Sequence, residues 1–483
     1  MGRRRPKGGA PEAGASEPRR RGLLWPAATV VGGAAAIGLA GVTLHTSDVP
    51  HASDAPAAAT PALRAIPRVV NISFGEFRRD FLATSTPVIV SGSLDGWPRR
   101  GRLSLDRIVE VCGGRSIYPP CAREKVVVHA PKIASKRWGG LWSIPPNERL
   151  QNFSDLIAAQ QDDGWAGELL EEGAGADRRV DVRGAELYLF DAPIAIFCPA
   201  LLAELRAPRY FPVDFLRQLG EYGPEADDCV LADECCAYPR PHPSLFVGRA
   251  SARSGLHIDS RATRFWMAVH AGAKEFRLLD RAASLRLHAD RPTECFSSAS
   301  AAMAAKNRKP KPHLLTEVCP GVDGDLFAGG RADVWSGRVA EGDIIFIPEF
   351  WAHQVQNLES PTIAVSYNFL DDFALRAHEL LFLDMLDMLA ANATGAAGLP
   401  PIEKLLEHIR RLGLAAEAGF PTATLAATPA DAGDTPWKAW YERNRPAAGA
   451  ATEEALNEWA SGGGAGRMFA RLKGEPTLRS GWM

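Results

Sequence analysis

Five strand-like segments follow one another in the second half of this 483-residue chain, and no helical pattern separates them. They are SLFVGRA from Ser244, the stretch Gly255–Leu279, EFRLLD from Glu275, DIIFIP from Asp343 and TIAVSYNF from Thr362. Parallel strands need long crossover connections, which are usually helices. Consecutive strands without such helices therefore indicate an antiparallel sandwich or barrel rather than a doubly wound sheet.

Helices are predicted on both sides of this strand-rich region. Upstream, helical patterns such as SLDRIVEVC from Ser104 alternate with strands such as TPVIVSG from Thr86, which indicates an N-terminal α/β extension. Downstream, a helix from Asp371 to Ala391 has an apolar face that core packing or a homodimer contact would explain equally well. The predicted fold class is mainly β with flanking helices.

The N-terminus reads as a membrane anchor. Residues 1–21 hold seven Lys or Arg against two Glu, and no Lys, Arg, Asp or Glu occurs from Gly22 until Asp48. Because about 20 apolar residues suffice to cross a bilayer, we expect a basic cytoplasmic tail over 1–21, one transmembrane signal anchor over 22–45 and a linker over 46–67. A cleaved secretory signal and an organellar transit peptide are the alternatives.

An anchor with its basic end in the cytoplasm would turn the rest of this single-pass protein toward the lumen of the ER or Golgi. Secretion or import into an organelle are the alternatives. Three glycosylation sequons, at Asn71, Asn152 and Asn392, fit the lumenal side. These features also predict that the protein contacts the membrane through its N-terminal helix alone.

The eight cysteines are an even number and include no C-x-x-C pair, which favours an oxidising compartment over a zinc site. Cys112 with Cys121 and Cys295 with Cys319 are the disulfides to test first, although buried thiols are an equal alternative. A net charge of −2 provides no global basic field, so no nucleic-acid partner is expected. The sequence also lacks a Walker loop, a G-x-S-x-G elbow and an H-E-x-x-H motif.

The chemistry concentrates on four residues of the strand-rich region. His257 and Asp259, one residue apart, would point to the same side of a strand and could reach one ion. His353, which follows a strand and a Pro-aromatic turn, offers a third ligand. Two His and one carboxylate are the ligands of iron centres that activate O2. Lys274, isolated among apolar neighbours, could pair with the far carboxylate of an anionic cosubstrate such as 2-oxoglutarate.

These residues, in this order, resemble a JmjC-domain (cupin-like) Fe(II)/2-oxoglutarate-dependent oxygenase. The segment EGDIIFIPEFWAHQVQNLESPTIAVSYNF from Glu341 carries the resemblance most clearly. TPVIVSGSLDGWP and ELYLFD followed by APRYFPVDFLRQLG extend it upstream. The most similar subfamily is the lysyl hydroxylase/arginine demethylase of the phosphatidylserine-receptor type, and the likeness covers about residues 69 to 371.

The resemblance implies a role for each matched residue. His257, Asp259 and His353 would be the catalytic iron ligands, and Lys274 would bind the 2-oxoglutarate carboxylate. Ser254 and Ser366 stand where that subfamily has threonines, Tyr188 matches a pocket tyrosine and Asn368 matches an asparagine near the site. Met267 departs from the pattern, because the relatives have an asparagine there, and a long insert at about 285–340 would lie across the mouth of the site.

The implied fold is a double-stranded β-helix (jelly-roll/cupin) of eight strands. Residues 68–240 would form the N-terminal part of the region, 241–371 the catalytic core, and 372–483 a C-terminal helical region with a low-complexity tail, in which helices could support a homodimer. The implied cofactors are Fe(2+), 2-oxoglutarate as cosubstrate and O2. The expected activity is hydroxylation of side chains of lumenal protein substrates. N-methyl lysine or arginine demethylation at the same site and a catalytically inactive binding module are the alternatives.

Overall fold

Strands dominate the part of the chain that the structure, a computed structural model, describes. The described residues are 63–97, 102–118, 126–129, 141–143, 149–162, 166–171, 178–183, 187–219, 243–284, 326–327, 333–381, 402–426, 428, 433–444, 455, 457–458, 461–464 and 467–468. The predicted tail and anchor and most of the predicted insert lie outside these ranges. Within the ranges, no helix is both long and apolar enough to cross a membrane.

The strands that precede the predicted core are short. They are β1 (Arg64–Ala65), β2 (Arg68–Val70), β3 (Val88–Ser91), β4 (Val126–His129), β5 (Leu141–Ser143), β6 (Ala166–Glu171), β7 (Arg178–Arg183), β8 (Leu187–Pro193) and β9 (Arg206–Ala207). The core strands are β10 (Ser244–Gly248), β11 (Arg264–Ala271), β12 (Ala273–Leu279), β13 (Val334–Ala340), β14 (Ile344–Ile347), β15 (Ala352–Asn357) and β16 (Thr362–Phe369), and β17 (Thr435–Pro436) follows near the C-terminus.

Helices flank the strands on both sides in the sequence, as predicted. They are α1 (Phe74–Phe77), which continues into a π-helical turn, α2 (Leu105–Cys112), α3 (Phe153–Gln161), α4 (Ile194–Phe197), α5 (Phe215–Gln218), α6 (Ile402–Glu417), α7 (Phe420–Ala426) and α8 (Trp437–Arg443). Side-chain caps at Ser104 and Asn152 explain where α2 and α3 begin. The helix predicted from Asp371 is present as far as it is described, over 375–381.

Two sheets carry the core. One contains β2, β3, β14, β11, β16, β10, β8, β4 and β5 in this spatial order, and the other contains β1, β13, β12 and β15. Every pairing among β10 to β16 is antiparallel, which confirms the prediction for the strand-rich region. The chain changes sheet between β11 and β12, between β13 and β14, and at each step from β14 to β16. This connectivity is consistent with a jelly-roll core.

Successive side chains of a strand point to opposite faces of the sheet, so one face of the larger sheet points into an interior and the other points away from it. Phe265, Met267 and Val269 of β11 belong to a buried cluster that also contains Phe276 and Leu278 of the second sheet. The intervening side chains of β11 join a different buried cluster, to which α2, α3 and α8 contribute. Helices therefore cover one face of the larger sheet, while its other face and the smaller sheet enclose the interior where Lys274 lies.

The stretch around His257 departs from the prediction of a strand. Strand β11 begins only at Arg264, and His257 forms a single β-bridge with His353. Between the two, Arg261 and Ala262 have φ angles of 63° and 53°. Side chains with a Cβ rarely adopt this left-handed region, and it turns the chain out of the extended conformation that a ladder requires. His257 and Asp259 therefore lie in a segment that ends at this turn, and of the two only His257 pairs with a strand.

The disulfide arrangement also differs from the prediction. Cys112, at the end of α2, is bonded to Cys198, which follows α4, with their Cα atoms 5.8 Å apart. The predicted pair Cys112/Cys121 is therefore wrong, because α2 packs against the segment after α4 and brings Cys198 to Cys112. The predicted pair Cys295/Cys319 lies outside the described residues.

Candidate active site

Two histidines lie side by side, His257 in the loop before β11 and His353 on strand β15. The backbone N–H of His257 donates to the carbonyl of His353 at 3.0 Å, and the reverse bond measures 2.8 Å. The centroids of the two imidazole rings lie 4.1 Å apart. Phe265 of β11 packs near the ring of His353, with 5.7 Å between the ring centroids. The reciprocal backbone bonds thus hold both imidazoles in register on one side of the interior.

Asp259 completes a three-residue cluster. Its Oδ1 lies 3.8 Å from Nε2 of His257 and 3.9 Å from Nε2 of His353. One ligand atom from each of the three residues falls within 4.8 Å of the others. Two imidazole nitrogens and one carboxylate oxygen at such spacing fit a divalent transition metal with coordination positions left open.

Hydrogen bonds orient the two imidazoles for this role. Nδ1 of His257 lies 2.8 Å from the carbonyl of Gly255, and Nδ1 of His353 lies 3.1 Å from the carbonyl of Trp351. Because a carbonyl only accepts, each Nδ1 must carry the proton. In the neutral ring this leaves a lone pair on Nε2, the atom nearest Asp259. The donor set is therefore prepared for a metal by its own backbone contacts.

The electrostatics favour a neutral His353. Burial, reinforced by the neighbouring His257, lowers the pKa of His353 well below its ordinary value. Burial raises the pKa of Asp259 to about 6, although His257 and a hydrogen bond with Asn368 oppose the shift. A metal must find its histidine ligands deprotonated, so the low pKa of His353 helps binding. A bound cation would in turn favour the ionised form of Asp259.

Lys274 is the second chemical centre of the interior. It is fully buried on β12, and its Nζ donates to Oδ1 of Asn357 at 2.7 Å and to Oη of Tyr188 at 3.0 Å. The rings of Tyr188 and Phe246 lie 5.3 and 5.6 Å from Nζ. Among the residues that the structure describes, no carboxylate pairs with Lys274. Burial lowers the pKa of its ammonium to about 7, so an anion that entered would restore the charged form.

The remaining predicted residues lie around these two centres. Ser254 is buried and its Oγ accepts a 3.0 Å hydrogen bond from the N–H of Val355, midway between His353 and Asn357 on β15. Asn368 donates to Oγ1 of Thr263 at 3.2 Å and hydrogen-bonds Asp259.

The central strands of the larger sheet hold two more predicted positions. Ser366 is buried on β16, where it pairs in register with Met267 of β11 and Ser244 of β10. Met267 belongs to the interior hydrophobic cluster, together with Phe265 and Tyr188. An apolar side chain therefore occupies the position at which the sequence departs from the family pattern.

Two residues that the sequence analysis did not single out support Lys274. Asn357 holds its amide in place by donating from Nδ2 to the carbonyl of Arg249 at 3.1 Å, which turns Oδ1 toward the ammonium. Gly248 has no side chain, and this gives Tyr188 and Asn357 the space they occupy beside Lys274. A Cβ at position 248 would lie 2.6 Å from the Tyr188 ring and 2.9 Å from Nδ2 of Asn357. The period of two in HQVQN, which puts His353 and Asn357 on one face of a strand, is the signal that could have revealed Asn357.

Comparison with known proteins agrees with this arrangement. The model of the cupin-like domain family matches residues 75–374, a range that contains the triad and Lys274. An arginine-specific demethylase of Arabidopsis thaliana is 25% identical over 311 residues, which are 63% of this chain and 46% of that protein. A bifunctional arginine demethylase and lysyl-hydroxylase of Caenorhabditis briggsae is 22% identical over 320 residues, 64% of this chain and 62% of the relative.

The chain thus spans between about half and three-fifths of the length of these curated relatives. The family match covers most of the residues that form the two sheets, including every strand from β10 to β16. Together with the two relatives, it confirms the resemblance to JmjC proteins that the motifs predicted. The chain belongs to the cupin-like domain family.

Proposed function

We propose that this protein is an Fe(II)- and 2-oxoglutarate-dependent oxygenase that hydroxylates side chains of protein substrates. The observation that carries the proposal is the combination, in one interior, of the His257–Asp259–His353 cluster with a buried Lys274 whose described partners are uncharged. A metal site alone would fit many functions. A metal site with a buried cation beside it fits a cosubstrate that chelates the metal at one end and carries a negative charge at the other.

The spacing of the two centres supports this pairing. In the β12–β15 ladder Lys274 is opposite Asn357, and His353 is four residues earlier on the same face of β15. At about 3.3 Å per residue, roughly 13 Å separates their backbone positions. The side chains of Lys274 and His353 are both buried on the same side of the smaller sheet, so one extended dicarboxylate could contact Lys274 at one end and the metal ligands at the other.

Each side chain would contribute one part of the reaction. His257, His353 and Asp259 would hold the iron, and Lys274 would bind the distal carboxylate of 2-oxoglutarate. Tyr188 accepts a hydrogen bond from Lys274, so its own proton is available to that carboxylate, and Ser254 or Ser366 would add a hydroxyl. Bound iron would activate O2, which is the oxidant of both 2-oxoglutarate and the substrate, and the overall reaction would give succinate, CO2 and a hydroxylated substrate.

The names of the relatives favour demethylation as a second candidate. Both are described as arginine demethylases, and one also as a lysyl-hydroxylase. Hydroxylation of a side-chain methylene gives a stable alcohol, whereas hydroxylation of an N-methyl group releases formaldehyde. The two outcomes thus need the same residues and differ in which carbon of the substrate is presented. The third candidate, a catalytically inactive binding module, is disfavoured by the complete ligand set.

We also propose that the enzyme works in the lumen of the secretory pathway, held by a helix over residues 22–45. The uncharged run next to a basic tail and the Cys112–Cys198 disulfide support this location. Its partners would be lumenal proteins and the membrane, with a homodimer through the C-terminal helices and no nucleic acid. Protease protection of residues after 45 in microsomes, with the basic tail cleaved, is the expected result; a soluble cytosolic product would contradict the anchor.

Activity can be tested on the full chain. The protein is incubated with Fe(II), 2-oxoglutarate and ascorbate, and with peptides that contain either unmodified lysine or N-methylated arginine. Peptide-dependent succinate together with a gain of one oxygen atom supports the hydroxylase. Formaldehyde with loss of a methyl group supports the demethylase. Asp259→Ala is the matched control, and wild-type protein that releases no succinate with either peptide set while binding the cosubstrate would favour the binding module.

A further inference from the structure

A pair of buried histidines lies outside the candidate active site, in the C-terminal helical region. His378 belongs to the helical segment 375–381, and His408 belongs to α6. Their Nε2 atoms are 2.9 Å apart, and both side chains are almost completely buried. At this distance the two nitrogens share one proton, so one ring donates and the other accepts.

The direction of that hydrogen bond follows from a second contact. Nδ1 of His378 lies 2.7 Å from the carbonyl oxygen of Arg261. Because the carbonyl can only accept, Nδ1 of His378 carries a proton. In the neutral ring, its Nε2 is then the acceptor and Nε2 of His408 is the donor. Burial, with the positive charges of Arg261 and Arg411 nearby, lowers the pKa of His408 to about 3, which keeps this ring neutral.

The carbonyl that His378 holds belongs to the turn directly after Asp259. Arg261 has φ 63° and ψ 24°, and Ala262 follows with φ 53°. Two consecutive non-glycine residues in the left-handed region are unfavourable unless surrounding contacts hold them. On the far side of the turn, Thr263 is hydrogen-bonded by Asn368, which also contacts Asp259. The turn that presents the carboxylate is therefore fixed from both sides.

We propose that His408 is a positioning residue for the metal site: its N–H selects the tautomer of His378 that binds the Arg261 carbonyl, and this bond sets the position of Asp259. The inference rests on the proposed metal site and extends it to the C-terminal helices. Without the donor on His408, the buried Nε2 lone pair of His378 would lose its hydrogen bond, which disfavours the ring orientation in which Nδ1 holds the Arg261 carbonyl. The turn would then be anchored less firmly.

Two variants separate this role from simple packing. His408→Leu introduces an apolar side chain of similar bulk and removes the hydrogen-bond donor to His378. His408→Gln places an amide N–H near the position of Nε2 and should preserve the hydrogen bond to His378. Leu412→Ala is the matched control, because Leu412 is a buried residue one turn further along α6 and its truncation weakens helix packing without removing a hydrogen-bonding group of either histidine.

The experiment uses the full-length, metal-free protein and Mn(II) titration followed by electron paramagnetic resonance. We expect His408→Leu to weaken Mn(II) binding about tenfold or more, the range typical of residues that orient metal ligands indirectly. His408→Gln and Leu412→Ala should bind Mn(II) like the wild type. Equal affinity in His408→Leu and wild type, or equal loss in Leu412→Ala and His408→Leu, would overturn the inference.

A measurement on the wild type covers the case in which His408→Leu does not fold. Nitrogen-15 NMR of the imidazoles should show His378 protonated on Nδ1 and His408 protonated on Nε2 in the metal-free protein. The opposite tautomers would overturn the inference on their own. Failure of the wild type to bind Mn(II) would instead remove the proposed function, and the positioning role with it.

Discussion

Nζ of Lys274 lies 2.7 Å from Oδ1 of Asn357, its direct neighbour across the β12–β15 ladder. The amide accepts a hydrogen bond from Nζ but carries no negative charge, so it does not compete with an anionic ligand for Lys274. A carboxylate at the same place would have the same shape, but its negative charge would pair with Lys274 and compete with an anionic ligand. This near-identity of Asn and Asp makes position 357 a direct test of the anion-binding role of Lys274.

We expect Asn357→Asp to weaken 2-oxoglutarate binding by about a hundredfold or more, because the new carboxylate would pair with Lys274 in place of the cosubstrate. A hundredfold corresponds to about 2.7 kcal/mol, which is within reach of a close ion pair at the effective dielectric of a protein. Calorimetric titration of the Mn(II)-loaded protein measures the effect. Gln356→Glu adds the same charge to the next residue of β15, whose side chain faces the other way, and should bind normally.

Lys274→Ala should weaken 2-oxoglutarate binding and leave Mn(II) binding unchanged, since no metal ligand is altered. Removing one partner of a buried ion pair costs about 3–5 kcal/mol, which is roughly two to three and a half decades of affinity. Lys274→Arg should recover only part of this loss, because the planar guanidinium is longer than the ammonium. Wild-type cosubstrate affinity in Lys274→Ala would remove the main support for an oxygenase.

The affinity for 2-oxoglutarate should also fall as pH rises. In the free protein burial lowers the pKa of Lys274 to about 7, and only the protonated form attracts the carboxylate. Below pH 7 the ammonium is present before binding. Above it, binding must take up a proton, so the dissociation constant should rise about tenfold for each further pH unit. Titrations in buffers of different ionisation enthalpy would reveal the uptake; its absence at pH 8 would contradict a lysine that is neutral before binding.

The sequence predicted those parts of the site that depend on strand periodicity. Lys274 on β12 and His353 on β15 lie on strands whose alternation can be read from apolar residues. His257 and Asp259 lie close together, but outside a regular strand, in a segment that ends at the left-handed turn at Arg261, and such a turn has no signature among non-glycine residues.

Contacts between elements that are distant in the sequence leave no local pattern of residues. Asn357 is opposite Lys274 only through register, and the Cys112–Cys198 bridge depends on how α2 packs. The pair His378 and His408 joins helices thirty residues apart. No local pattern encodes such a meeting, because it follows from how the C-terminal helices dock on the core.

Replacing a triad residue should abolish metal binding without unfolding the protein. Asp259→Ala and His353→Ala each remove one of three ligands, and Mn(II) titration should show no stoichiometric site. In the metal-free protein, the Asp259 carboxylate should lower the stability of the fold rather than support it. Its pKa in the fold is raised to about 6, so above that pH the metal-free fold holds a carboxylate whose ionisation burial disfavours. Metal-free Asp259→Ala should therefore unfold at the same or higher denaturant concentration than the wild type at pH 7.5, whereas a marked loss of stability would indicate a structural role.

The Cys112–Cys198 disulfide should contribute substantially to stability. It closes a loop across a sequence separation of 86 residues between two buried positions, and a cross-link of this span limits the conformational freedom of the unfolded chain. Loss of such a bridge typically costs about 2–5 kcal/mol. We expect Cys112→Ser, Cys198→Ser and the double variant to lower the free energy of unfolding by the same amount in urea without reductant, because each removes the same bond.

Added reductant should lower the stability of the wild type to the level of these variants and leave the variants unchanged. Peptide mapping under non-reducing conditions identifies the bond directly. A peptide that links Cys112 to Cys121, or additive effects of the two serine substitutions, would contradict the observed pairing. The same mapping bears on location, because such bonds persist in oxidising compartments. Full-length protein recovered from the secretory lumen should carry the bond, and protein made in a reducing cytosol should be less stable by the energy that the bond contributes.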